Sequence, residues 1–345
     1  MERLFDPSKF NKKSYVIAEI GQNHQGDLEL ARKYIKKFAD SGADAVKFQT
    51  RNNKILFSKE SYEKKYDSDN AFADIYGHHR EILELDRDVY PILIQDCKKY
   101  NVKFMCTPFD ENSLDFLVEV GVEILKIASF DLGNLPFIDK IGRTKIPVVI
   151  SVGGGKIDQI KSSIDTLLKH HNDISVLHCV SEYPCEYNRL GLDNIEVLKK
   201  NYPDLAIGLS DHFNGILSAS VAYMKGARIF EKHVTFNRSW KGTDHKFSLE
   251  ARGFEKMVRD LKRIPEMFSP KNDGSLGNEA VFIKLGKSLI VSKDLDIGDV
   301  FTLENLSGKI FEENIIPVRE SNDIIGKKTK VKLKSGDPIF YDKIQ

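Results

Sequence analysis

The sequence predicts a (β/α)₈ barrel followed by a small β-rich domain. Short apolar runs rich in Val and Ile alternate with amphipathic helical patterns, eight such units fit between Tyr15 and about Ile264, and the composition shifts after Met267. Strand–helix alternation over short connections implies parallel strands, and ~250 residues is the usual size of a closed barrel of eight units. An open doubly wound sheet is the competing arrangement; the count of eight favours the barrel.

The predicted strands are Tyr15–Glu19, Ala45–Gln49, Lys103–Thr107, Glu123–Ile127, Pro147–Ser151, Ile174–His178, Ala206–Ser210 and Arg228–His233. The first helix has Asp27 as N-cap, an apolar face of Leu28, Ala31, Ile35 and Phe38, and Gly42 as its stop. Another runs from about Asp158 to His170 with Ile160, Ile164, Leu167 and Leu168 as its stripe. The connection after the second strand, residues 50–86, is polar, aromatic and charged without a steady period. Connections of that length are usually functional or mobile. The domain boundaries are 1–266 for the barrel, 267–283 for a linker containing SPKNDGSLGNEA, and 284–345 for a module of short alternating segments broken by Gly-Asp turns. That module is near the lower size limit for folding alone.

The 345 residues are 41% hydrophobic and 30% charged with a formal net charge of +1. This is an ordinary globular balance, without the basic footprint of a nucleic-acid binder. No run is apolar and long enough for a signal peptide or a membrane span. Cys97, Cys106, Cys179 and Cys185 form no CxxC pair, which suits reduced thiols in a cytoplasmic protein.

In a parallel barrel the C-terminal strand ends share one mouth, where ligands bind. The predicted strands end on or beside Glu19, Lys47 and Gln49, Thr107, Lys126, Ser151, His178, Ser210 and His233. A purely structural barrel would scatter such groups over both ends, so their concentration on one rim points to an enzyme acting on an anionic, polar substrate. Lys47 and Lys126 sit inside apolar strands, where an ammonium needs an anion close by. That anion is either a ligand or a core carboxylate such as Glu19 or Asp211. His212 and His233 end successive strands; they either hold a divalent ion such as Mn²⁺ or Mg²⁺ or are ordinary hydrogen-bonded barrel histidines. Glu19, beside the turn GQNHQG, can act as a base or position water, or simply pair with Lys47. The turn SVGGG after Ser151 can present N–H groups to an anion. His78, His79, His170 and His171 read as solvated.

The segments AEIGQNHQGD, AVKFQT, CTPFD, ILKIAS, VVISVGG, LHCVSEYP, IGLSDH, FEKHVT and GTDHKFSL, in that order over residues 18–249, resemble the sialic acid synthase family. KLGKSLIV, DIGDVFT, LENL, IIGKK and LKSGDPI resemble the antifreeze-like (SAF, β-clip) domain that follows the barrel in that family. The resemblance implies condensation of phosphoenolpyruvate with the aldehyde of an open-chain amino sugar such as N-acetylmannosamine, with phosphate leaving by C–O cleavage. It implies His212 and His233 as ligands of a divalent metal, commonly Mn²⁺. Lys47, Lys126, Ser129, Ser151 and Ser210 become contacts to phosphoenolpyruvate, with Ser181 as a further phosphate donor where some members have Asn. Glu19 would handle water or a proton, Asp244 would hold sugar hydroxyls, and Gln49 and Tyr183 match substrate-side positions. It also implies a homodimer whose C-terminal domain closes the partner's site. Ile310 stands where many members place an Arg that reads the sugar's N-acyl group, with Lys309 and Arg319 as nearby substitutes, and KGTDH lacks the usual Pro before the Asp. The connection carrying Arg51 and Arg80 is longer than expected and bears on sugar selection. Other readings are a synthase for a different or non-N-acylated sugar, a Schiff-base pyruvate lyase, and a non-catalytic sugar-binding barrel.

Overall fold

A computed structural model describes residues 2–271, 277–313 and 315–345. The chain divides into two compact units, residues 1–268 and 269–345. In the first unit the strands β1 (Tyr15–Gly21), β2 (Ala45–Thr50), β3 (Lys103–Pro108), β4 (Ile124–Ile127), β5 (Val148–Ser151), β6 (Ile174–Cys179), β7 (Ala206–Asp211) and β8 (Ile229–Thr235) pair in parallel in that order. β8 pairs back onto β1, with Tyr15 opposite Ile229 and Glu19 opposite His233. The sheet is therefore a closed eight-stranded barrel, and every predicted strand lies within two residues of an observed one.

Period-2 alternation decides what each strand residue does. One set, including Val16, Ala18, Val46, Phe48, Phe104, Leu125, Ile150 and Phe230, packs against the surrounding helices. The other set points into the barrel. Ile17, Ala45, Met105, Ile124, Val149, Leu177, Ala206 and Ile229 fill its lower half as an apolar plug. Phe5 and Phe10 join that plug, and the leader is pinned there because the backbone N–H groups of Leu4 and Phe5 donate to the Asp173 carboxylate at 2.8 and 2.7 Å.

The helices follow the expected rules. α1 (Leu28–Asp40) starts where the Asp27 carboxylate accepts from the Leu30 N–H at 2.8 Å, a cap that contributes about 1 kcal/mol. It buries Ala31, Tyr34, Ile35 and Phe38, while Leu28 is only partly buried. Gly42, at φ +93°, ends it, and a Cβ there would come within 3.0 Å of Val258 Cγ1. α2 (Asn53–Leu56), α3 (Lys59–Glu63) and α4 (Tyr76–Ile82) are short helices inside the 50–86 connection, so it is more ordered than its lack of a period suggested. Each is too short to bury an amphipathic stripe, so no periodicity was visible. α5 (Tyr90–Lys99), α6 (Glu111–Glu119), α7 (Leu135–Arg143), α8 (Ile157–Leu168), α9 (Asn194–Asn201), α10 (Leu217–Met224) and α11 (Ala251–Met267) complete the outer layer. On α8, Ile164 and Leu167 are buried but Leu168 is exposed, so the stripe is narrower than predicted. Phe254 of α11 packs edge-on against Phe38 with ring centroids 5.4 Å apart. β9 (Leu249–Glu250) adds to β8 beyond the barrel proper.

The second unit carries α12 (Ala280–Leu285) and an antiparallel pair, β10 (Ser288–Val291) with β11 (Leu306–Lys309). Isolated bridges such as Leu295 to Leu333 and Val300 to Lys328 extend it. Its own core is Leu289, Val291, Leu295, Phe301, Ile316, Ile324, Leu333, Ile339 and Ile344. Residues 272–276 of the predicted linker lie outside the described residues. Among the described residues no helix is long and apolar enough to cross a membrane.

Candidate active site

Above the apolar plug the inward positions turn polar. One step further along the same strand faces come Glu19, Lys47, Lys126, Ser151, Cys179, Ser210 and Glu231, then Gln49, Thr107, His212 and His233. These groups line a cavity of about 820 Å³ at the C-terminal ends of the strands. Ser129, Tyr183 and Asp244 line it too. Eleven of the twelve predicted site residues thus converge on this cavity. The twelfth, Ser181, sits at its edge: a Cβ on Gly153 would lie 2.8 Å from Ser181 Oγ and 3.0 Å from Ser129 Oγ.

His178 does not belong with them. It falls on the outward face of β6, and its Nε2 bonds the Leu190 carbonyl at 2.7 Å. The inward residue at that strand end is Cys179. His79 is not solvated either: it is buried, its Nδ1 accepts from the Phe72 N–H at 3.1 Å, and burial lowers its pKa to about 4. His170 pairs with Asp139 at 2.8 Å on the outer helices. All four cysteines are free and buried.

The cavity floor is a charge network. Lys47 Nζ lies 2.8 Å from Glu19 Oε2 and 3.7 Å from Glu231 Oε1, and donates to Thr107 Oγ1 at 3.2 Å. Lys126 Nζ donates to Ser151 Oγ at 2.7 Å and to the Ile127 carbonyl at 3.0 Å. Burial would neutralise Lys47, but the charges of Glu19 and Glu231 outweigh it and raise its pKa. For Lys126 burial wins, helped by Lys47 against the pull of Glu231, and its pKa falls. The two carboxylates split. Burial pushes Glu19 above the usual carboxyl range, with Lys47 only partly offsetting it and Glu231 adding to it. Glu231 is also buried, yet Lys126 and Lys47 hold it well below that range. Two carboxyls driven apart in this way form an acid/base arrangement.

Beside Lys126 lies an anion cradle. Ser129 Oγ accepts from the Gly153 N–H at 3.0 Å, and Ser181 Oγ is buried with no hydrogen-bond partner. Lysine charge, serine hydroxyls and a backbone approach that only Gly153 permits are the donors an anionic oxygen cluster needs.

On the opposite side the rings of His212 and His233 stand 5.4 Å apart, with Tyr183 4.1 Å from His212 and Phe247 5.0 Å from His233. His212 Nδ1 bonds the Val180 carbonyl at 2.7 Å, so Nδ1 carries a proton and Nε2 is the nitrogen left for a cation; burial lowers the ring's pKa, but Cys179 and that carbonyl outweigh burial and raise it. His233 Nδ1 is buried without a hydrogen-bond partner, 3.6 Å from Asp244 Oδ2, and burial holds the ring neutral. A bare imidazole nitrogen and an unsatisfied neutral one fit a divalent cation. Among the described residues no group of three or more His, Cys, Asp or Glu is arranged as a complete metal cage. Any cation here keeps positions open to small-molecule oxygens, as catalytic sites do.

A buried clamp fixes this wall. On the outward faces of β7 and β8, Lys232 Nζ lies 2.8 Å from Asp211 Oδ2 and also donates to the Phe213 carbonyl. Asp211 in turn accepts from the Phe213 N–H at 2.9 Å and from Ser218 Oγ at 2.6 Å. The residues flanking His212 are thus held from behind.

Sequence reasoning missed Glu231 and Phe247. Glu231 stands two residues before His233 on one strand, so period-2 alternation puts both on the lumen face. Phe247 lies in GTDHKFSL but carries no chemistry of its own, only a shelf for the rings.

A mouth with paired lysines, an anion cradle and two free imidazoles defines a barrel enzyme for a phosphorylated or carboxylated small molecule. Residues 34–272 match the model of the NeuB family. The chain is 32% identical to the N-acetylneuraminate-9-phosphate synthase of Drosophila melanogaster, covering 96% of this chain and 95% of that protein. It is 35% identical to the N,N'-diacetyllegionaminic acid synthase of Campylobacter jejuni, covering 86% and 90%. A crystal structure of N-acetylneuraminic acid (sialic acid) synthetase from Leptospira borgpetersenii in complex with citrate matches with TM-score 0.68 and 32% identity over 79% of this chain and 89% of that one. The chain belongs to the NeuB family of sialic acid synthases. It is a phosphoenolpyruvate-dependent enzyme of the transferase type.

Proposed function

We propose that this protein condenses phosphoenolpyruvate with the aldehyde of an open-chain amino sugar such as N-acetylmannosamine, forming a nonulosonate. The reading rests above all on the lysine–serine cradle facing two free imidazoles across one cavity. Lys47, Lys126, Ser129, Ser151, Ser181 and Ser210 hold the phosphate and carboxylate of phosphoenolpyruvate. Gln49, Tyr183 and Asp244 orient the sugar, and His212 and His233 hold a divalent cation, Mn²⁺ or Mg²⁺. When bound, that cation supplies Lewis acidity to the aldehyde oxygen. C3 of phosphoenolpyruvate forms the new C–C bond to the aldehyde carbon, water adds at C2 with Glu19 managing its proton, and the C2–O bond breaks to release inorganic phosphate.

The module 284–345, within the second unit, is an antifreeze-like domain that closes the partner's sugar pocket in a homodimer, excluding water from the reacting centre. Ile310 is half exposed and carries no charge, which supports weak reliance on a sugar N-acyl group. Arg319, the other substitute, stacks 5.5 Å above the Phe282 ring of its own unit.

Incubation with Mn²⁺, phosphoenolpyruvate and a panel of amino sugars, with phosphate release measured, tests the reaction. Phosphoenolpyruvate labelled with ¹⁸O at the bridging position should deliver the label to phosphate. Label kept in the keto acid would refute C–O cleavage.

A further inference from the structure

Of the cations lining the cavity, Lys47 and Arg51 form ion pairs and Lys126 is hydrogen-bonded, whereas among the described residues Arg80 has neither an ion pair nor a hydrogen bond. Lys47 has Glu19 and Glu231, and Lys126 has Ser151 and the field of Glu231. Arg51 is buried, ion-paired to Glu84 at 2.7 Å, donates to Gln49 Oε1 at 2.6 Å, and lies over the Phe109 ring. Arg80, on α4, lines the same cavity, and its Nε is buried with no hydrogen-bond partner. Among the described residues it has no ion pair. The carboxylates that could serve it are engaged elsewhere. Glu84 accepts from Arg51 Nη1 at 2.7 Å, from the Arg51 backbone N–H at 3.2 Å and from Gln22 Nε2 at 3.1 Å. Asp244 accepts from Thr243 Oγ1 at 2.9 Å and faces His233.

Leaving a partly desolvated guanidinium unpaired is costly, and burial together with the like charge of Arg51 draws its pKa down to about 10. A group held in that state is relieved when an anion enters, and the guanidinium fork matches phosphate oxygens in particular. Its place says which ligand brings the anion. Ser129, Gly153 and Lys126 belong to the β4–β5 side of the mouth. Arg80 stands on the connection after β2 and feels the charges of Arg51, Glu84 and Asp244, so it lies on the Asp244 side of the cavity. Asn70 Oδ1 accepts from the Gly242 N–H at 3.1 Å, which ties this connection to the segment carrying Asp244.

We infer that Arg80 binds a phosphomonoester carried by the acceptor sugar at the end remote from its aldehyde, so that the enzyme is selective for a phosphorylated acceptor. This rests on the condensation reading above and extends it to the acceptor's far end.

The test compares N-acetylmannosamine with its 6-phosphate in the full chain, saturated with phosphoenolpyruvate and Mn²⁺. The wild type should favour the phosphorylated sugar by at least tenfold in kcat/KM. Arg80→Ala should bring that preference down to threefold or less, through the acceptor's KM, while Arg80→Lys restores part of it. Because an unpaired, half-buried charge is being removed, the melting temperature of Arg80→Ala should hold or rise. Equal use of both sugars by the wild type, or a loss that falls on the KM of phosphoenolpyruvate, would overturn the assignment. Calorimetric titration with the sugar 6-phosphate reads the site without turnover: binding lost in Arg80→Ala supports it, and unchanged binding refutes it. Phosphate release from neither sugar, with that binding intact, would count against the condensation reading and leave the anion site standing.

Discussion

Replacing Glu231 with Gln separates the electrostatics of the cavity floor from its chemistry. At 3.7 Å from Lys47 Nζ, the Glu231 carboxylate attracts that ammonium by about 4.5 kcal/mol at an effective dielectric constant near 20. It is also the main counter-charge acting on Lys126. Glutamine keeps the shape and removes the charge. Breaking a buried pair from one side typically costs about 3–5 kcal/mol, because the partner charge is left uncompensated. Lys47 retains Glu19, so the loss should fall at the lower end, about 3 kcal/mol, read as a drop in the urea midpoint of the barrel. The same change makes the floor more positive, so phosphoenolpyruvate should bind more tightly, by calorimetry, even as the apoprotein weakens. Opposite signs for stability and anion affinity are the signature of a counter-ion. A variant with unchanged midpoint and unchanged affinity would refute the charge assignment, and one that loses both would show that Glu231 contacts the ligand through its carboxylate oxygens.

Three other outcomes follow from the same geometry. Gly153→Ala puts a methyl group within 3.0 Å of both Ser129 Oγ and Ser181 Oγ, and should weaken phosphoenolpyruvate by tenfold or more, about 1.4 kcal/mol, with melting little changed; an unchanged Kd would remove the cradle from the site. Lys232→Met leaves Asp211 buried without its cation and should cost about 3–5 kcal/mol of stability and weaken Mn²⁺ binding by calorimetry, since Phe213 and hence His212 lose their clamp; intact metal affinity would limit Lys232 to stability alone. Glu19 has its folded pKa raised, so the native state holds a proton that the unfolded chain releases earlier, and stability should fall as pH rises from the ordinary carboxyl range through that raised value. Glu19→Gln should flatten this segment of the melting-temperature profile, and an identical slope in both proteins would show that Glu19 is not perturbed.

The sequence by itself determined the barrel and most of its rim. Eight apolar runs of strand length separated by helical periods have few ways to bury both faces, and closure in order is one of them. The polar residue ending each run was visible because period-2 alternation and the parallel direction leave it nowhere else to go. Asp27 and Gly42 set the limits of α1 through local backbone chemistry that needs no tertiary information. What the fold alone decided were facts of facing and pairing. At the end of β6, His178 and Cys179 are adjacent in sequence, and only barrel closure sends the histidine to the helix layer and the cysteine to the lumen. His79 looked like a surface residue until the short helices of the 50–86 connection buried it beneath Phe72 and Tyr66. The partner of each buried charge was equally hidden. Lys47 takes Glu19 and Glu231, Lys232 takes Asp211, and Arg80 takes none among the described residues, because pairing depends on distances between segments that are far apart in the chain. Local sequence fixes which groups are present and which way a strand points them; whether a charge meets its counter-charge or waits for a ligand is settled by the three-dimensional packing around it.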